Sequence, residues 1–443
     1  MKIGIIGMGK LGAPLASVFA RAGHQITCVD VLQEKIDLIN KHQNPIPAEP
    51  EVIITNMFAT RDYSKLTDCE IIFVVVNTPP QPQGNLSLTD LEETCVKLKD
   101  ALGTNVKGVE GNTVYHKPIV VISSTIPPKT MEWVKETLRP IPVVYNPFFI
   151  ALGQVVNDLQ FPDIVLIGGD DIPSRQRVAG LWEEILGSTN AICETNLKTA
   201  ELVKFSSNPY LVMRINWANT VARMAEALGD VNAQEVIDII GKDKRANTKG
   251  LRVGLPWGGD CFPKDIDAVT YFCNSEGIDG LFFEDLAAVN ENWKEILPKI
   301  IKDKVCRSDF RKAKIAFLGI SYKKSYPLLS RSTAYELYEY FVRDEARVFV
   351  HDPYITELPD GRLTHPLSEC LKGAEMVIIA VGYPEYAKLT MKDLPYSEIQ
   401  GDILTAPVID LCRVLENSEI ASKGWWLPLG WRERYGQYWR REK

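Results

Sequence analysis

Lys2-Ile-Gly-Ile-Ile-Gly7-Met8-Gly9-Lys10-Leu11-Gly12 is the stretch that decides the fold, and Asp30 completes it. Lys2–Ile6 reads as a short buried strand. The apolar spacing from Leu15 to Ala22 predicts a helix, which Gly23 stops, and Gln25–Val29 predicts a second strand ending at Asp30. Glycines at 7, 9 and 12 allow the tight strand-to-helix turn, close backbone approach to a pyrophosphate, and close packing of helix on strand. The helix start adds unpaired N–H groups and a positive dipole end. A carboxylate at Asp30 can accept bonds from both ribose hydroxyls and would repel a 2′-phosphate, so the expected cofactor is NAD rather than NADP.

Outward from this stretch, Glu70–Val76, Pro118–Ile122, Val143–Tyr145 and Ile164–Gly168 are further apolar runs alternating with helical segments. Strands without polar alternation, separated by helices, imply a parallel sheet covered on both faces. From Lys198 to about Ile301 the strand signal vanishes. Leu202, Phe205, Leu211, Val212, Ile215, Trp217, Val221 and Met224 recur at helical spacing with no glycine until Gly229, which predicts one long helix followed by at least three more. These apolar positions spread beyond a single stripe of about 100°. The helix therefore needs cover on several sides, from a symmetric second copy or from the α/β domains of its own chain. The last third repeats the grammar of the first: Lys314–Ile320 echoes Lys2–Met8, Arg347–Asp352 echoes Gln25–Asp30, and Ala374–Tyr383 echoes Cys69–Thr78. The expected architecture is α/β, with two Rossmann-like doubly wound parallel-sheet domains joined by a central helical dimerisation segment. Residues 1–196 form the NAD-binding domain, 197–305 the helical segment, 306–425 the second α/β domain and 426–443 an aromatic and basic tail.

Composition agrees. At about 150 residues per domain, 443 residues suit two to four domains. Hydrophobic residues make up 45% and charged residues 24%, which excludes disorder and low complexity. Fifty basic against 57 acidic residues leave a net charge of −7, which does not advertise a nucleic-acid partner but permits a small anionic ligand. The nine cysteines are odd in number and contain no C-x-x-C pair, so neither a disulfide framework nor a zinc site is expected. The chain opens directly into a strand without a signal-peptide pattern, and no run approaches 18 uncharged apolar residues. A soluble, cytosolic protein without a membrane partner is expected.

Chemistry concentrates around Cys261 in Gly254-Leu-Pro-Trp-Gly-Gly-Asp-Cys-Phe-Pro-Lys-Asp265. Glycines 258 and 259 loosen the backbone ahead of the thiol, while Lys264 and the following helix start favour thiolate. Asp265 can act as a base for water if the loop folds back. Lys204 and Asn208, four residues apart, share one helix face where an ammonium and an amide can hold an oxyanion. Lys323 follows the first strand of the C-terminal domain, at the strand end where such domains bind ligands. The glycine fingerprint is missing there, so a lysine can replace backbone N–H groups as a phosphate partner.

Taken in order, these motifs resemble the UDP-glucose/GDP-mannose dehydrogenase family: the glycine fingerprint, Val76-Asn-Thr-Pro79, Ser123-Ser-Thr-Ile-Pro-Pro128, Asn146-Pro147, Glu201-Leu-Val-Lys-Phe-Ser-Ser-Asn208, the cysteine motif, and Gly319-x-x-Tyr-Lys323. The resemblance covers residues 1 to about 415. It implies a four-electron, NAD-dependent oxidation of a nucleotide sugar at C6, UDP-glucose foremost, by a homodimer. Cys261 would trap the 6-aldehyde as a thiohemiacetal that becomes a thioester and is hydrolysed to the uronate. Lys204 and Asn208 would stabilise oxyanions, Asp265 would assist water or proton transfer, and Thr125 would hold the water. Gly7, Gly9, Lys10, Leu11, Gly12, Asp30, Lys35, Thr78, Thr125 and Lys264 would bind the cofactor. The loop Gly250, Leu251, Arg252, Val253 and Gly254, with Gly258, Lys323, Lys204 and Asn208, would hold the sugar nucleotide. Arg245 matches an arginine that reaches across the family's dimer.

Three departures stand out. Phe148 and Leu152 occupy positions where the family carries glutamates, so two acidic roles are vacant. The family's Lys-x-x-x-Asp-Asp-x-Arg becomes Lys323-Lys-Ser-Tyr-Pro-Leu-Leu-Ser330, with Arg331 one place late. Asp260 precedes the cysteine, where its charge would oppose thiolate if it pointed inward. Rival readings keep the chemistry on a UDP-N-acetylhexosamine or another hexose, reduce it to a single hydride transfer as in β-hydroxyacid dehydrogenases, or leave a dinucleotide-binding protein without catalysis.

Overall fold

The computed structural model describes residues 1–103, 118–187, 190–305, 309–324, 326, 328–399, 402–423 and 425–431. The chain divides into two compact units, Met1–Ser207 with Asp267–Gly280, and Asn208–Ile266 with Leu281–Lys443.

The first unit is built on an eight-stranded sheet: β1 (Lys2–Ile6), β2 (Gln25–Val29), β3 (Met57–Thr60), β4 (Ile71–Val74), β5 (Ile119–Ile122), β6 (Val143–Tyr145), β7 (Val165–Gly168) and β8 (Ile192–Thr195). Their spatial order is β3-β2-β1-β4-β5-β6-β7-β8, so the strand order reverses between β1 and β4. The crevice in which open α/β sheets bind ligands lies outside the carboxyl ends of those two strands. Every neighbouring pair is parallel except β6 with β7, which meet antiparallel at Tyr145 and Gly168. The fully apolar, buried strands Ile71–Val74 and Ile119–Ile122 lie mid-sheet, covered on both faces.

The second unit holds a five-stranded parallel sheet of β9 (Lys314–Leu318), β10 (Arg347–His351), β11 (Met376–Ile379), β14 (Val408–Asp410) and β15 (Trp426–Pro428), in the order β10-β9-β11-β14-β15. An antiparallel hairpin of β12 (Tyr396–Ile399) and β13 (Asp402–Thr405) stands apart from it and has no counterpart in the parallel-sheet expectation. The echo between the two sheets is physical. Gly7 and Gly319 each follow a first strand at positive φ, and a Cβ on either would meet the segment just after the neighbouring strand β4 or β11, Val75 O at 2.5 Å or Val381 Cβ at 2.6 Å. Asp30 accepts the Met8 N–H at 2.7 Å, and Asp352 accepts those of Ile320 and Ser321 at 2.9 and 3.0 Å. In each sheet the carboxylate after the second strand therefore ties down the loop after the first.

One boundary of the sequence reading is corrected. Trp426–Pro428 is not tail but the edge strand of the second sheet, and the Trp426 indole donates to Asp410 Oδ2 at 2.9 Å. The next residues are strapped down as well: Gly430 N–H donates to Glu226, and Lys304 donates to the Trp431 carbonyl. A short aromatic segment followed by a basic stretch looks like a terminus in sequence, and only strand pairing shows otherwise. Arg432–Lys443 lie outside the described residues.

The helix signal between the sheets is realised as Leu197–Leu228, Ala233–Ile240, Phe262–Ser275 and Leu281–Lys304. Phe205 and Val212 of the long helix are buried, whereas Leu202, Leu211, Trp217 and Met224 are exposed on the single chain. No helix among the described residues is long and apolar enough to cross a membrane.

Candidate active site

In the first unit the three glycines have separable roles. A Cβ on Gly12, the first residue of the helix Gly12–Arg21, would lie 1.9 Å from the Gly7 carbonyl, so this glycine is imposed by helix–strand packing. A Cβ on Gly9 would meet no protein atom within 4 Å. The open space above Gly9, at the start of a helix and at the strand-order reversal, fits a dinucleotide pyrophosphate. Lys10 is exposed beside it, and Leu11 is the N-cap residue. Asp30 is buried; its Oδ1 accepts the Leu32 N–H at 2.8 Å, and Lys35 Nζ lies 3.7 Å from Oδ2. Thr78 donates to the Thr125 carbonyl and Ser124 to the Val76 carbonyl, both at 2.7 Å, which binds the loops after β4 and β5 together.

This separation makes a prediction. Gly12→Ala should disrupt the turn and lower stability by about 1–3 kcal/mol, as overpacking does. Gly9→Ala should leave the melting temperature unchanged yet weaken NAD binding about tenfold or more, equivalent to about 1.4 kcal/mol. Calorimetric melting and NAD titration of both variants check it.

Lys204 also belongs to the first unit, where its ammonium donates to the Phe148 carbonyl at 2.8 Å and lies 4.8 Å from the centroid of the Phe149 ring. The Phe148 side chain points the other way: it is buried and meets Trp182 edge-on at 6.3 Å, while Leu152 packs on the same core. The two vacated acidic positions have thus become core positions, and a carboxylate at 148 would be buried against apolar neighbours. Glu201, one turn before Lys204, is buried and accepts the Met131 and Lys129 N–H groups at 2.7 and 3.2 Å, which anchors the segment after Thr125 to the lysine's helix. Burial raises its pKa.

In the second unit Cys261 is exposed and sits directly before the helix Phe262–Ser275, its carbonyl accepting the Asp265 N–H at 2.9 Å. Its thiol therefore stands at the helix end that favours negative charge. Asp265 is buried and accepts from Lys264 Nζ at 2.8 Å and Asn208 Nδ2 at 2.5 Å, so three of the expected residues form one cluster. Lys264, expected at the cofactor, is here the ionic partner of Asp265. A Cβ on Gly258 would lie 2.6 Å from the Arg331 carbonyl, and Gly259 N–H donates to that same oxygen at 2.9 Å. Gly258 is thus required by backbone packing, and Gly259 by its φ of +76° and the Tyr322 ring against it.

The loop 250–254 is shaped by amide side chains that the sequence reading did not single out. Asn219 accepts the Gly254 N–H at 3.0 Å, and Gln234 accepts the Val253 N–H at 3.2 Å while donating to the Leu251 carbonyl. Arg252 joins a cleft of about 340 Å³ lined also by Cys412, Arg413, Glu416, Asn417 and Ser418. Arg413 is the main residue missed. Its side chain is 2% exposed, pairs with Glu416 at 2.5 Å and lies 5.2 Å from the Trp426 ring centroid. Its Nη1 is buried with no hydrogen-bond acceptor among the described residues. A buried guanidinium with an unused donor on a polar cleft is suited to an anion. Its sequence signal was a third acid-ended strand, closing on Asp410 like those at Asp30 and Asp352. Lys323 is half-buried near the Tyr322 ring. Arg245 stands apart, 90% exposed and in a forked pair with Asp243.

Three family models match along the chain, all of the UDP-glucose/GDP-mannose dehydrogenase family: the NAD binding domain over residues 1–186, the central domain over 198–292 and the UDP binding domain over 316–417. UDP-glucose 6-dehydrogenase 4 of Oryza sativa subsp. japonica is 30% identical over 382 residues, spanning 81% of this chain and 77% of that one. UDP-glucose 6-dehydrogenase AglM of Haloferax volcanii is 26% identical over 415 residues, spanning 88% and 93%. Among solved structures, a UDP-glucose dehydrogenase from Pyrobaculum islandicum aligns over 97% of this chain and 98% of its own, with a TM-score of 0.79 at 24% identity, a likeness of fold. With the glycine turn, the Asp265 cluster and the Arg413 cleft in place, these matches show that the chain belongs to the UDP-glucose/GDP-mannose dehydrogenase family and is an NAD-dependent nucleotide-sugar dehydrogenase.

Proposed function

We propose that this chain oxidises the C6 alcohol of a UDP-hexose, UDP-glucose above others, to the uronic acid, and that Cys261 carries the sugar between the two oxidations. The observation that carries this reading is the exposed thiol at a helix start, four residues before an aspartate held by Lys264 and Asn208. The relatives' names support the choice of sugar.

NAD, when bound, supplies the hydride acceptor, two molecules in succession for each sugar. In the first oxidation C6 loses a hydride, and the hydroxyl proton would pass to water held by Thr125, or to Lys204 when its amine is in the neutral form and so becomes the ammonium. The Cys261 thiolate then adds to the aldehyde carbon, and Asn208 and Lys204 hold the resulting oxyanion. Loss of a second hydride from that carbon leaves a thioester. Water attacks it with Asp265 assisting, the C–S bond breaks, and uronate and thiolate separate. Arg413, Arg252 and Lys323, with the loop 250–254 and Gly258, would hold the nucleotide; Lys10, Leu11, Lys35 and Thr78 would line the cofactor.

The experiment is NADH formed per sugar nucleotide consumed, across a panel of UDP- and GDP-sugars. Two equivalents, fastest with UDP-glucose, is the expected result. One equivalent points to single hydride transfer, none to binding without catalysis, and a faster UDP-N-acetylhexosamine to a different sugar.

We also propose that the protein works as a homodimer, with Arg245 serving the second copy's substrate. Leu202, Leu211, Trp217 and Met224 leave the long helix with exposed apolar side chains on more than one side, for which a symmetry mate is the proposed cover. Sedimentation at micromolar concentration should give a dimer, and a monomer would reject this.

A further inference from the structure

The helix Leu281–Lys304 turns Leu286, Trp293, Leu297 and Ile301 into the core, and Asn290 stands in the same stripe. It is 1% exposed at a position where the spacing calls for an apolar residue. Its carboxamide serves both backbone groups of Trp257: Oδ1 accepts the Trp257 N–H at 2.9 Å, and Nδ2 donates to the Trp257 carbonyl at 3.0 Å. One side chain that satisfies the N–H and the C=O of a single residue fixes the direction of that backbone as well as its place. An apolar side chain at 290 would leave both groups buried without these partners.

Trp257 lies between the loop 250–254 and Cys261, in the segment that delivers the thiol. Other buried groups of the second unit hold that segment in the same manner. Asn219, which accepts the Gly254 N–H, also donates to the Leu255 carbonyl at 3.3 Å. The Thr333 hydroxyl donates to the Pro256 carbonyl at 2.9 Å, and the Trp257 indole N–H donates to Asn216 at 2.9 Å. Gly259 is tied to the Arg331 carbonyl, two residues before the thiol. Buried amides in an apolar stripe bring specificity of geometry rather than extra stability, and the geometry they specify here is that of the backbone leading into Cys261.

We propose that Asn290 is a positioning residue of the reaction, holding the backbone from Trp257 to Cys261 so that the thiol captures the 6-aldehyde before it escapes. This rests on Cys261 being the nucleophile. Asn290 acts on backbone alone; it exchanges no proton and forms no bond with the sugar.

The test compares the two oxidations within one sample. Asn290→Leu keeps the volume of the stripe and removes both bonds. Asn290→Asp keeps an acceptor for the Trp257 N–H and sets a second oxygen against the carbonyl. Each full-length variant is incubated with NAD and UDP-glucose, NADH and uronate are counted, and semicarbazide traps released aldehyde for mass spectrometry. A variant that folds less well loses both oxidations in the same proportion, so the ratio of uronate to NADH reports position and not folded fraction. The expected result is less than one uronate for every two NADH, trapped aldehyde, and uronate formation roughly 10- to 100-fold slower, as for a displaced catalytic group. NAD affinity should stay at its wild-type value. The wild-type ratio without trapped aldehyde in both variants overturns the proposal, and if Asn290→Leu gives no cooperative melt, Asn290→Asp decides by the same ratio. Cys261→Ala judges the reading beneath it: aldehyde release is expected, and full two-equivalent turnover overturns the covalent route and this proposal with it. Aldehyde release by Cys261→Ala beside wild-type ratios in the Asn290 variants overturns the role of Asn290 alone. One NADH per sugar from the wild-type protein would overturn the four-electron reading itself, and the proposal with it.

Discussion

Cys261→Ser is expected to abolish uronate formation while leaving NAD binding at its wild-type strength. The loss should reach the order of 10⁴-fold, about 5.4 kcal/mol of transition-state stabilisation. The exposed thiol sits at the start of the helix Phe262–Ser275, whose amide groups and dipole favour a negative sulfur. A serine hydroxyl is scarcely ionised there and attacks an aldehyde poorly. Any ester it forms also hydrolyses more slowly than a thioester. The glycine turn and Asp30 belong to the other unit and are untouched, so NAD titration should not change. Intact mass spectrometry after incubation with NAD and UDP-glucose should detect a sugar-nucleotide adduct or released aldehyde. Full two-equivalent turnover by Cys261→Ala would reject the covalent route.

Lys204→Ala should cost more than the roughly 100- to 10,000-fold typical of losing one acid–base group. The reason lies in the loop after Pro147. Its two side chains at the family's glutamate positions, Phe148 and Leu152, are turned into the core, and what the loop offers Lys204 is the Phe148 carbonyl. This loop offers no carboxylate to share proton transfer in the first oxidation, so on the proposed mechanism the lysine and water near Thr125 would carry it. Removing the ammonium also strips a donor from that carbonyl, a loss of about 1 kcal/mol in stability. The kinetic effect should therefore far exceed the structural one. Steady-state rates beside a thermal melt separate the two, and a rate loss below tenfold with a normal melt would remove Lys204 from the proton-transfer role.

The sequence by itself determined the two sheets and their ligand-binding ends. Its apolar strands carry no polar alternation, and Gly7, Gly12 and Gly319 stand where backbone sterics admit no side chain. Such constraints are local, involving one turn or one strand and its neighbour, and local constraints are legible as residue type and spacing. That Asp265, Lys264 and Asn208 come together was legible for the same reason, each lying within a short motif. Tertiary structure decided what depends on distant partners. Only packing shows that Phe148 faces Trp182 while its carbonyl serves Lys204, that Trp426–Pro428 completes a sheet begun more than a hundred residues earlier at Lys314, and that Arg413 is buried with a donor to spare. The orientation of a side chain and the pairing of an edge strand are set by contacts far away in the chain, and no local spacing encodes them.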